Sequence, residues 1–194
     1  MRREDRKKQI EETIIQQAVG LFKQKGYDNV TVEEITVHSG IAKGTFFNYF
    51  PKKEHVLLHI ANTHLQLIGQ IVERHSDGPL KERLLSIFRD LLAIYFQHAD
   101  ILRPALVETL KSAIESKNET SNITILQGTL HSLIEDAKQS HSFQSRWDSS
   151  KIASISVSLF FHALITGSAT MSEGEIYASL RSQMDAVWEG ISDA

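Results

Sequence analysis

Residues 31–54, TVEEITVHSGIAKGTFFNYFPKKE, decide the fold of this chain. Thr31 and Glu34 have the S/T-x-x-E spacing of a capping box, which predicts that a helix begins immediately after Thr31. Gly40 suits the left-handed residue that ends such a helix. A second short helix is predicted over 43–49. Two short helices joined by a glycine-containing turn indicate a helix-turn-helix, whose second helix enters the major groove of DNA.

Apolar residues recur at helical spacing along the rest of the chain, and no segment shows the alternation of a strand. In the first short helix, Val32, Ile35 and Val37 are expected to form the apolar face. Pro51 is expected to stop the second short helix and to lie in the first turn of the next one. The predicted fold is all-α with about nine helices, the remaining ones over 8–25, 51–75, 80–97, 100–115, 123–140, 148–168 and 175–191.

A wider set of residues around this stretch matches a known bacterial family. Residues 14 to 58 resemble the DNA-binding domain of the TetR family of transcriptional regulators. The chain departs from the usual family pattern at Ala42, where a Ser is common, and at Phe47, where a Tyr is common. The matching residues are Ile14, Ala18, Leu21, Phe22, Gly26, Tyr27, Thr31, Val32, Ile35, Gly40, Ile41, Lys43, Gly44, Thr45, Phe46, Tyr49, Phe50, Lys53, Glu54 and Leu57.

The resemblance implies a three-helix DNA-binding domain over 1–50 and a helical ligand-binding and dimerisation domain over 51–194. It implies a homodimer in the cytoplasm that binds a palindromic operator in double-stranded DNA. It also implies that an unidentified small-molecule effector binds the C-terminal domain, moves the fourth helix and releases the repressor.

The N-terminal end of the second short helix should face the bases. Gly44, Thr45 and Asn48 are therefore the candidates for base contacts, since Thr offers a methyl group to thymine and Asn can pair with adenine. The exposed ring of Phe47 is a candidate for contact with a sugar or a thymine methyl. The candidates for phosphate contact cluster at helix starts, where backbone N–H groups also attract anions; they are Thr31, Lys43, Tyr49, Lys52 and Lys53.

Charge is unevenly distributed along the chain. The net charge is −3, but residues 1–55 carry a net +2 and residues 56–194 a net −5. A basic module on an acidic body is typical of a DNA reader with a separate regulatory part. Five basic residues near the N-terminus could extend this module as an arm on the phosphates, unless they form a solvated end; they are Arg2, Arg3, Arg6, Lys7 and Lys8.

Several classes of function are disfavoured. The chain has no cysteine, so disulfides, thiolate nucleophiles and Cys-ligated zinc are excluded. No glycine-rich phosphate loop or acid–base cluster indicates an enzyme, and no cofactor is expected. The pair His55 and His59 has a spacing that can bind a metal, but it lacks the usual companion ligands and is interpreted as accidental. The charged N-terminus has no signal-peptide core, and no membrane span is expected.

Two regions of the C-terminal part carry the remaining hypotheses. Aromatic and histidine residues on helices expected to face one another are candidates for the effector site, with ordinary core packing as the alternative; they are Phe88, Tyr95, Phe96, His131, Phe161 and His162. The last two helices carry more apolar surface than one core needs, which suggests a partner chain. The candidates for that dimer interface are Leu159, Ile176, Leu180, Met184, Val187 and Trp188.

Three other functions remain open. A helical adaptor, or a constitutive DNA-binding protein without ligand gating, would keep the same fold. The intact Lys43-Gly44-Thr45 segment favours DNA binding over a pure adaptor, and an enzyme is the weakest alternative.

Overall fold

The structure, a computed structural model, describes residues 3–66, 68–115 and 122–192, and these residues form helices without any strand. A 3-10 helix over Tyr27–Asn29 separates the first two α-helices. The predicted all-α class is confirmed. The α-helices are α1 (Arg3–Lys25), α2 (Val32–Ser39), α3 (Lys43–Phe47), α4 (Lys53–Gln66), α5 (Ile68–Arg74), α6 (Leu80–Gln97), α7 (Ala99–Glu115), α8 (Asn122–Gln139), α9 (Ser149–Gly167) and α10 (Glu173–Ile191).

The largest differences from the predicted helices are in the N-terminal half of the chain, and the other boundaries agree within two residues. α1 begins at Arg3, five residues before the predicted start at 8. The helix predicted over 51–75 begins at Lys53 and is described as α4 and α5 on either side of Leu67, which lies outside the described residues. The 3-10 helix was not predicted. α3 ends two residues early, at Phe47.

The chain divides into two compact units. Unit 1 comprises Met1–Thr63 and His98–Glu115, and unit 2 comprises His64–Gln97 and Ser116–Ala194. This division differs from the expected domains 1–50 and 51–194, because α7 groups with the N-terminal helices.

Unit 1 is built around one apolar cluster. Ile14, Phe22 and Ile35 are among its fully buried side chains, and Ile101 and Ala105 of α7 belong to the same cluster. α7 packs against α1 and the 3-10 helix. Val37 is not part of this core, since 73% of its side chain is exposed. The predicted apolar face was wrong at this position because residues two apart, such as Ile35 and Val37, point to nearly opposite sides of a helix.

Unit 2 is built around α9, which packs between α8 and α10, while α6 packs on α10. Buried residues of α9 include Ile152, Val157 and Phe160. By length and hydropathy, α9 is one helix among the described residues that could cross a membrane. Nearly half of it is buried within the unit, which is also the pattern of the core helix of a globular domain.

Candidate nucleic-acid interface

The turn between α2 and α3 has the geometry that the sequence predicts. Gly40 ends α2 with φ 65° and ψ 31°, in the left-handed region. The Ile41 N–H donates to the Thr36 carbonyl at 3.1 Å, which closes the turn. A residue with a Cβ atom is strained in this conformation, so glycine fits the turn for a backbone reason. α2 and α3 therefore form a helix-turn-helix.

The start of α2 is fixed by the predicted capping box. The Glu34 N–H donates to the Thr31 hydroxyl at 3.2 Å, and the Glu34 carboxylate accepts from the Thr31 backbone N–H at 2.9 Å. Lys25 at the end of α1 donates to the same carboxylate at 2.7 Å. The Lys25 hydrogen bond, followed by that of the Thr31 N–H, lowers the pKa of Glu34 from 4.5 to about 2. The Thr31 hydroxyl also donates to Glu34 at 3.2 Å, so a phosphate contact by Thr31 must replace that bond.

One side of α3 faces solvent and the other side faces the core. Phe46 is fully buried, whereas Phe47 is 46% exposed. Thr45 and Tyr49 are half-buried, and Tyr49 packs against the core of unit 1. Of the predicted base and phosphate candidates on or beside α3, the structure brings four to one exposed face: Lys43, Gly44, Phe47 and Asn48.

Gly44 has no internal reason to be glycine. Its backbone is not in the left-handed region, and a Cβ atom added there would meet nothing within 4 Å. Glycine within a helix costs about 1 kcal/mol relative to alanine. No described part of the protein therefore occupies the space above Gly44.

The N-terminus of α3 lacks a side-chain cap. Ala42 occupies the N-cap position and makes no side-chain hydrogen bond. The first backbone N–H groups of a helix have no partner within the helix, so they are available to an anion such as phosphate. Lys43 lies at the same end and pairs loosely with Glu33 at 3.7 Å, with both side chains exposed. Such a pair contributes little and leaves Lys43 able to reach a phosphate.

The two lysines at the start of α4 differ in their surroundings. Lys52 is exposed. The Lys53 ammonium donates to the carbonyl oxygens of Tyr27 at 2.9 Å and of Val30 at 2.8 Å. Two of its three donors thus hold the 3-10 helix and the segment before α2, and the phosphate contact of Lys53 stays a prediction. Nothing in the sequence pattern pointed to this role.

The basic residues near the N-terminus do not form an extended arm from residue 3 onward, because α1 already includes Arg3. Arg6, Lys7 and Lys8 are exposed on that helix, and Lys8 pairs with Glu12 at 3.9 Å. Arg2 lies outside the described residues.

Comparison with known proteins gives the family. The family model described as "Bacterial regulatory proteins, tetR family" matches residues 14–60, which are the segment that forms the helix-turn-helix. Over these residues the chain matches the tetR family. It is 32% identical over 109 residues to the uncharacterized HTH-type transcriptional regulator YuxN of Bacillus subtilis, a match that covers 52% of this chain and 35% of YuxN.

Two further relatives extend the comparison beyond the DNA-binding domain. The fatty acid metabolism regulator protein of Bacillus subtilis is 26% identical over 125 residues, which are 62% of each protein. The crystal structure of Thermus thermophilus FadR, a TetR-family transcriptional repressor in complex with lauroyl-CoA, superposes with a TM-score of 0.74 at 20% identity, over 95% of this chain and 97% of that one. The chain spans about a third of YuxN, and the likeness to the FadR structure shows the fold alone.

The four aromatic candidates for an effector site, Phe88, Tyr95, Phe96 and Phe161, lie in unit 2. Phe88 is fully buried and stacks on Phe160 with 5.0 Å between ring centroids, and Phe160 meets Phe161 edge to face at 5.7 Å. Tyr95 is 5% exposed and meets Phe96 edge to face at 5.6 Å. They form two aromatic groups on the helices predicted to carry them.

The two histidine candidates are different. His131 of α8 and His162 of α9 are both exposed in unit 2. Their predicted place among apolar neighbours is wrong, because the rotation of each helix turns the imidazole outward. In unit 1, His55 and His59 do not belong to any group of three or more potential metal ligands among the described residues.

A groove of about 580 Å³ lies in unit 1 between the 3-10 helix and α7. Its lining combines acidic and basic side chains, so it favours no ligand of one sign. The lining residues are Tyr27, Asp28, Ala99, Asp100, Arg103, Pro104, Val107, Glu108 and Lys111.

The candidates for the dimer interface fall into a buried group and a partly exposed group. Ile176, Leu180 and Met184 are fully buried in unit 2. As interface residues these three were wrong predictions, because the core of the protomer leaves them no surface. Leu159, Val187 and Trp188 are half-buried, and Ile155 and Ile165 on α9 are 42% and 50% exposed.

The sequence analysis missed a stripe of small residues on α10. All five are exposed and they recur every four residues, which places them on one face of the helix. The neighbouring face of α10 carries Asp185, which pairs with Lys81 of α6 at 2.5 Å. The spacing could have been read from the sequence. The small-residue stripe consists of Gly174, Ala178, Ser182, Ala186 and Gly190.

Proposed function

We propose that this chain is a dimeric, ligand-responsive transcriptional repressor that binds a palindromic operator through α3 and is released by a small molecule. The observation that carries the proposal is the exposed face of α3, where Lys43, Gly44, Phe47 and Asn48 lie together. Gly44 leaves room for a partner at the helix start, and a basic side chain stands beside it. This combination fits the major groove of DNA better than any other partner.

Each exposed residue of α3 has a distinct role in this proposal. Asn48 reads a base edge, with adenine the natural partner of its amide. Phe47 contacts a sugar or a thymine methyl group. Lys43 and Lys52 contact phosphates, which set the register of the protein on the duplex but do not read the sequence.

The second part of the proposal is a two-fold dimer formed by α9 and α10. The small-residue stripe of α10 allows close approach of a second helix, and the exposed Ile155 and Ile165 of α9 supply apolar area beside it. A two-fold dimer presents two copies of α3 to two half-sites, so the operator should be a palindrome whose half-site spacing matches the dimer.

The third part is release by an effector bound in unit 2. The aromatic groups of α6 and α9 support a small apolar or amphipathic ligand. Two similar proteins point to acyl compounds, since one is a fatty acid metabolism regulator and the other was crystallised with lauroyl-CoA. Binding of effector and operator is then coupled reciprocally: each lowers the affinity for the other by the same factor.

The test of DNA binding uses fluorescence anisotropy with the duplex upstream of the chain's own gene and a shuffled duplex of equal length. We expect preference for the upstream duplex and a steep loss of affinity with salt, because phosphate contacts release counterions. Asn48→Ala should relax discrimination at one base pair by roughly 1–3 kcal/mol. Equal affinity of the wild type for both duplexes and no discrimination in a selection from random sequences would contradict the proposal.

The test of effector release is a thermal-shift screen, followed by competition with the operator duplex. A ligand that binds only the folded protein raises Tm by mass action. Compounds that raise Tm but leave operator affinity unchanged would support a constitutive DNA-binding protein instead.

A further inference from the structure

The hydroxyl of Tyr95 is a buried polar group without a partner. Tyr95 lies near the end of α6 and is 5% exposed. Its hydroxyl oxygen is inaccessible to water, and no group of the described residues forms a hydrogen bond with it. An unsatisfied buried hydroxyl costs roughly 1–3 kcal/mol, so it is rare in folded proteins and needs an explanation.

Other buried hydroxyls of unit 2 do have partners. Ser149 donates to the Glu135 carboxylate at 2.6 Å, and Ser156 donates to the Ile152 carbonyl at 2.9 Å. Tyr95 is therefore an exception in a unit that otherwise satisfies its buried hydroxyls, as far as the described residues go. A bound molecule that supplies the missing partner would remove the cost.

The position of Tyr95 places it beside the aromatic groups of unit 2. Tyr95 follows Phe88 by seven residues, or two turns, on the buried stripe of α6. Phe88 stacks on Phe160 at 5.0 Å, and Tyr95 has Phe96 at its edge at 5.6 Å. Tyr95 thus lies on the same buried stripe as the stacked Phe88, about 10 Å farther along the helix axis.

The buried polar side chains of unit 2 also limit the charge of a ligand that could bind beside Tyr95. Within the described part of unit 2 the buried polar side chains are Ser149 and Ser156, and neither is charged. A carboxylate taken into such a site would lose its hydration without gaining a buried cation, which is costly. An uncharged carbonyl oxygen accepts the phenolic O–H without that penalty.

We infer that Tyr95 is the polar anchor of the effector site and that it donates its hydroxyl hydrogen to an uncharged carbonyl of an apolar ligand. Esters, thioesters, lactones and amides belong to this class, and free fatty acids do not. The inference rests on the proposed ligand-responsive function and specifies the chemistry of its ligand.

The test compares wild type with Tyr95→Phe, which removes only the hydroxyl. Without ligand, Tyr95→Phe should raise Tm by roughly 2–4 °C, because an unsatisfied group is lost. The probes are methyl decanoate and sodium decanoate, which share a chain length and differ in charge. In calorimetric titration, wild type should prefer the ester, and Tyr95→Phe should bind the ester roughly threefold to tenfold more weakly. Tyr177→Phe, the same change on the half-buried Tyr177 of α10, should alter neither quantity.

Three results would overturn the inference. A lower Tm for ligand-free Tyr95→Phe would mean that the hydroxyl is already satisfied within the protein. Unchanged binding of the ester by Tyr95→Phe would remove the anchoring role. A wild-type protein that binds decanoate as tightly as the ester, or binds neither, would exclude the uncharged class. In each case, specific DNA binding and release by other compounds would still be measurable, so the proposed function is tested separately.

Discussion

The ammonium group of Lys53 lies 4.1 Å from the centroid of the Tyr27 ring, at the place where the start of α4 meets the 3-10 helix. The same ammonium donates to the Tyr27 carbonyl at 2.9 Å. Burial of the ring, followed by the carboxylates of Glu54 and Glu108, raises the pKa of the Tyr27 phenol well above its usual range. The phenol of Tyr27 is therefore neutral near neutral pH, and its ring faces the Lys53 ammonium as a cation–π partner.

We predict that Lys53→Met lowers stability without removing a phosphate contact. Methionine keeps the length of the side chain but leaves the carbonyls of Tyr27 and Val30 without their donor, at a cost of roughly 1–3 kcal/mol. The slope of log affinity against log salt should stay at the wild-type value. Lys52→Met is the matched control: its Tm should be unchanged and its slope should fall by about 0.9. The reverse result, with the slope change in Lys53→Met, would restore Lys53 as a phosphate ligand.

Gly44→Ala should separate stability from DNA binding. The added methyl group meets no protein atom, so alanine should stabilise α3 by up to about 1 kcal/mol. The operator affinity should fall at the same time, because the methyl group occupies the space that the DNA enters. Gly20→Ala on α1 makes the same change where a Cβ also meets nothing, and should raise Tm without affecting affinity. Chemical denaturation and anisotropy titration measure both effects. Operator affinity preserved in Gly44→Ala would place the DNA elsewhere.

Glu34 should make the stability of the protein dependent on acid pH. Its pKa falls from 4.5 to about 2 on folding, so its contribution is complete above pH 4.5 and is lost as the pH falls toward 2. Glu34→Gln should therefore lower Tm most near neutral pH, with a difference from wild type that shrinks below pH 4.5. Glu33→Gln removes a carboxylate from the same helical turn but no capping bond. A difference between wild type and Glu34→Gln that stays constant from pH 7 to 3 would exclude this role.

A large side chain in the small-residue stripe of α10 should weaken the proposed dimer. Ala178→Leu keeps a helix-forming residue but blocks the close approach of a second α10, so the dimer should dissociate at concentrations where wild type remains paired. Operator affinity should fall with it, because a monomer meets only one half-site. Ala93→Leu adds the same volume at an exposed alanine of α6 and serves as the control. Sedimentation velocity measures the oligomeric state of both variants. If Ala178→Leu remained a dimer, the interface would not include the small-residue stripe.

The local features of the fold could be predicted because their determinants lie close together in the sequence. Thr31 and Glu34 are three residues apart, and their reciprocal hydrogen bonds follow from helix geometry alone. Gly40 could be identified for a similar reason, because the left-handed conformation at the end of α2 favours glycine. The helix-turn-helix could thus be predicted from the sequence alone.

Features that depend on tertiary packing could not be predicted. Lys53 meets the Tyr27 carbonyl across 26 residues of sequence, and no periodic pattern encodes that meeting. His131 and His162 were misplaced because an apolar neighbourhood in sequence does not fix the rotation of a helix. Ile176 has the right spacing for an apolar stripe, but spacing alone does not say whether the stripe meets its own core or a second chain.

The placement of α7 has a consequence for how this protein can be divided. Ile101 and Ala105 belong to the core of unit 1, yet α6 and α8, which precede and follow α7 in the chain, belong to unit 2. The polypeptide thus leaves unit 1, returns to it and leaves again. A gene fragment ending at residue 63 would encode the DNA-reading helices without part of their interior. A single crossover between the genes of two relatives would transfer only one of the two segments of unit 1. To transfer unit 1 intact, an exchange must carry both segments or replace the whole chain.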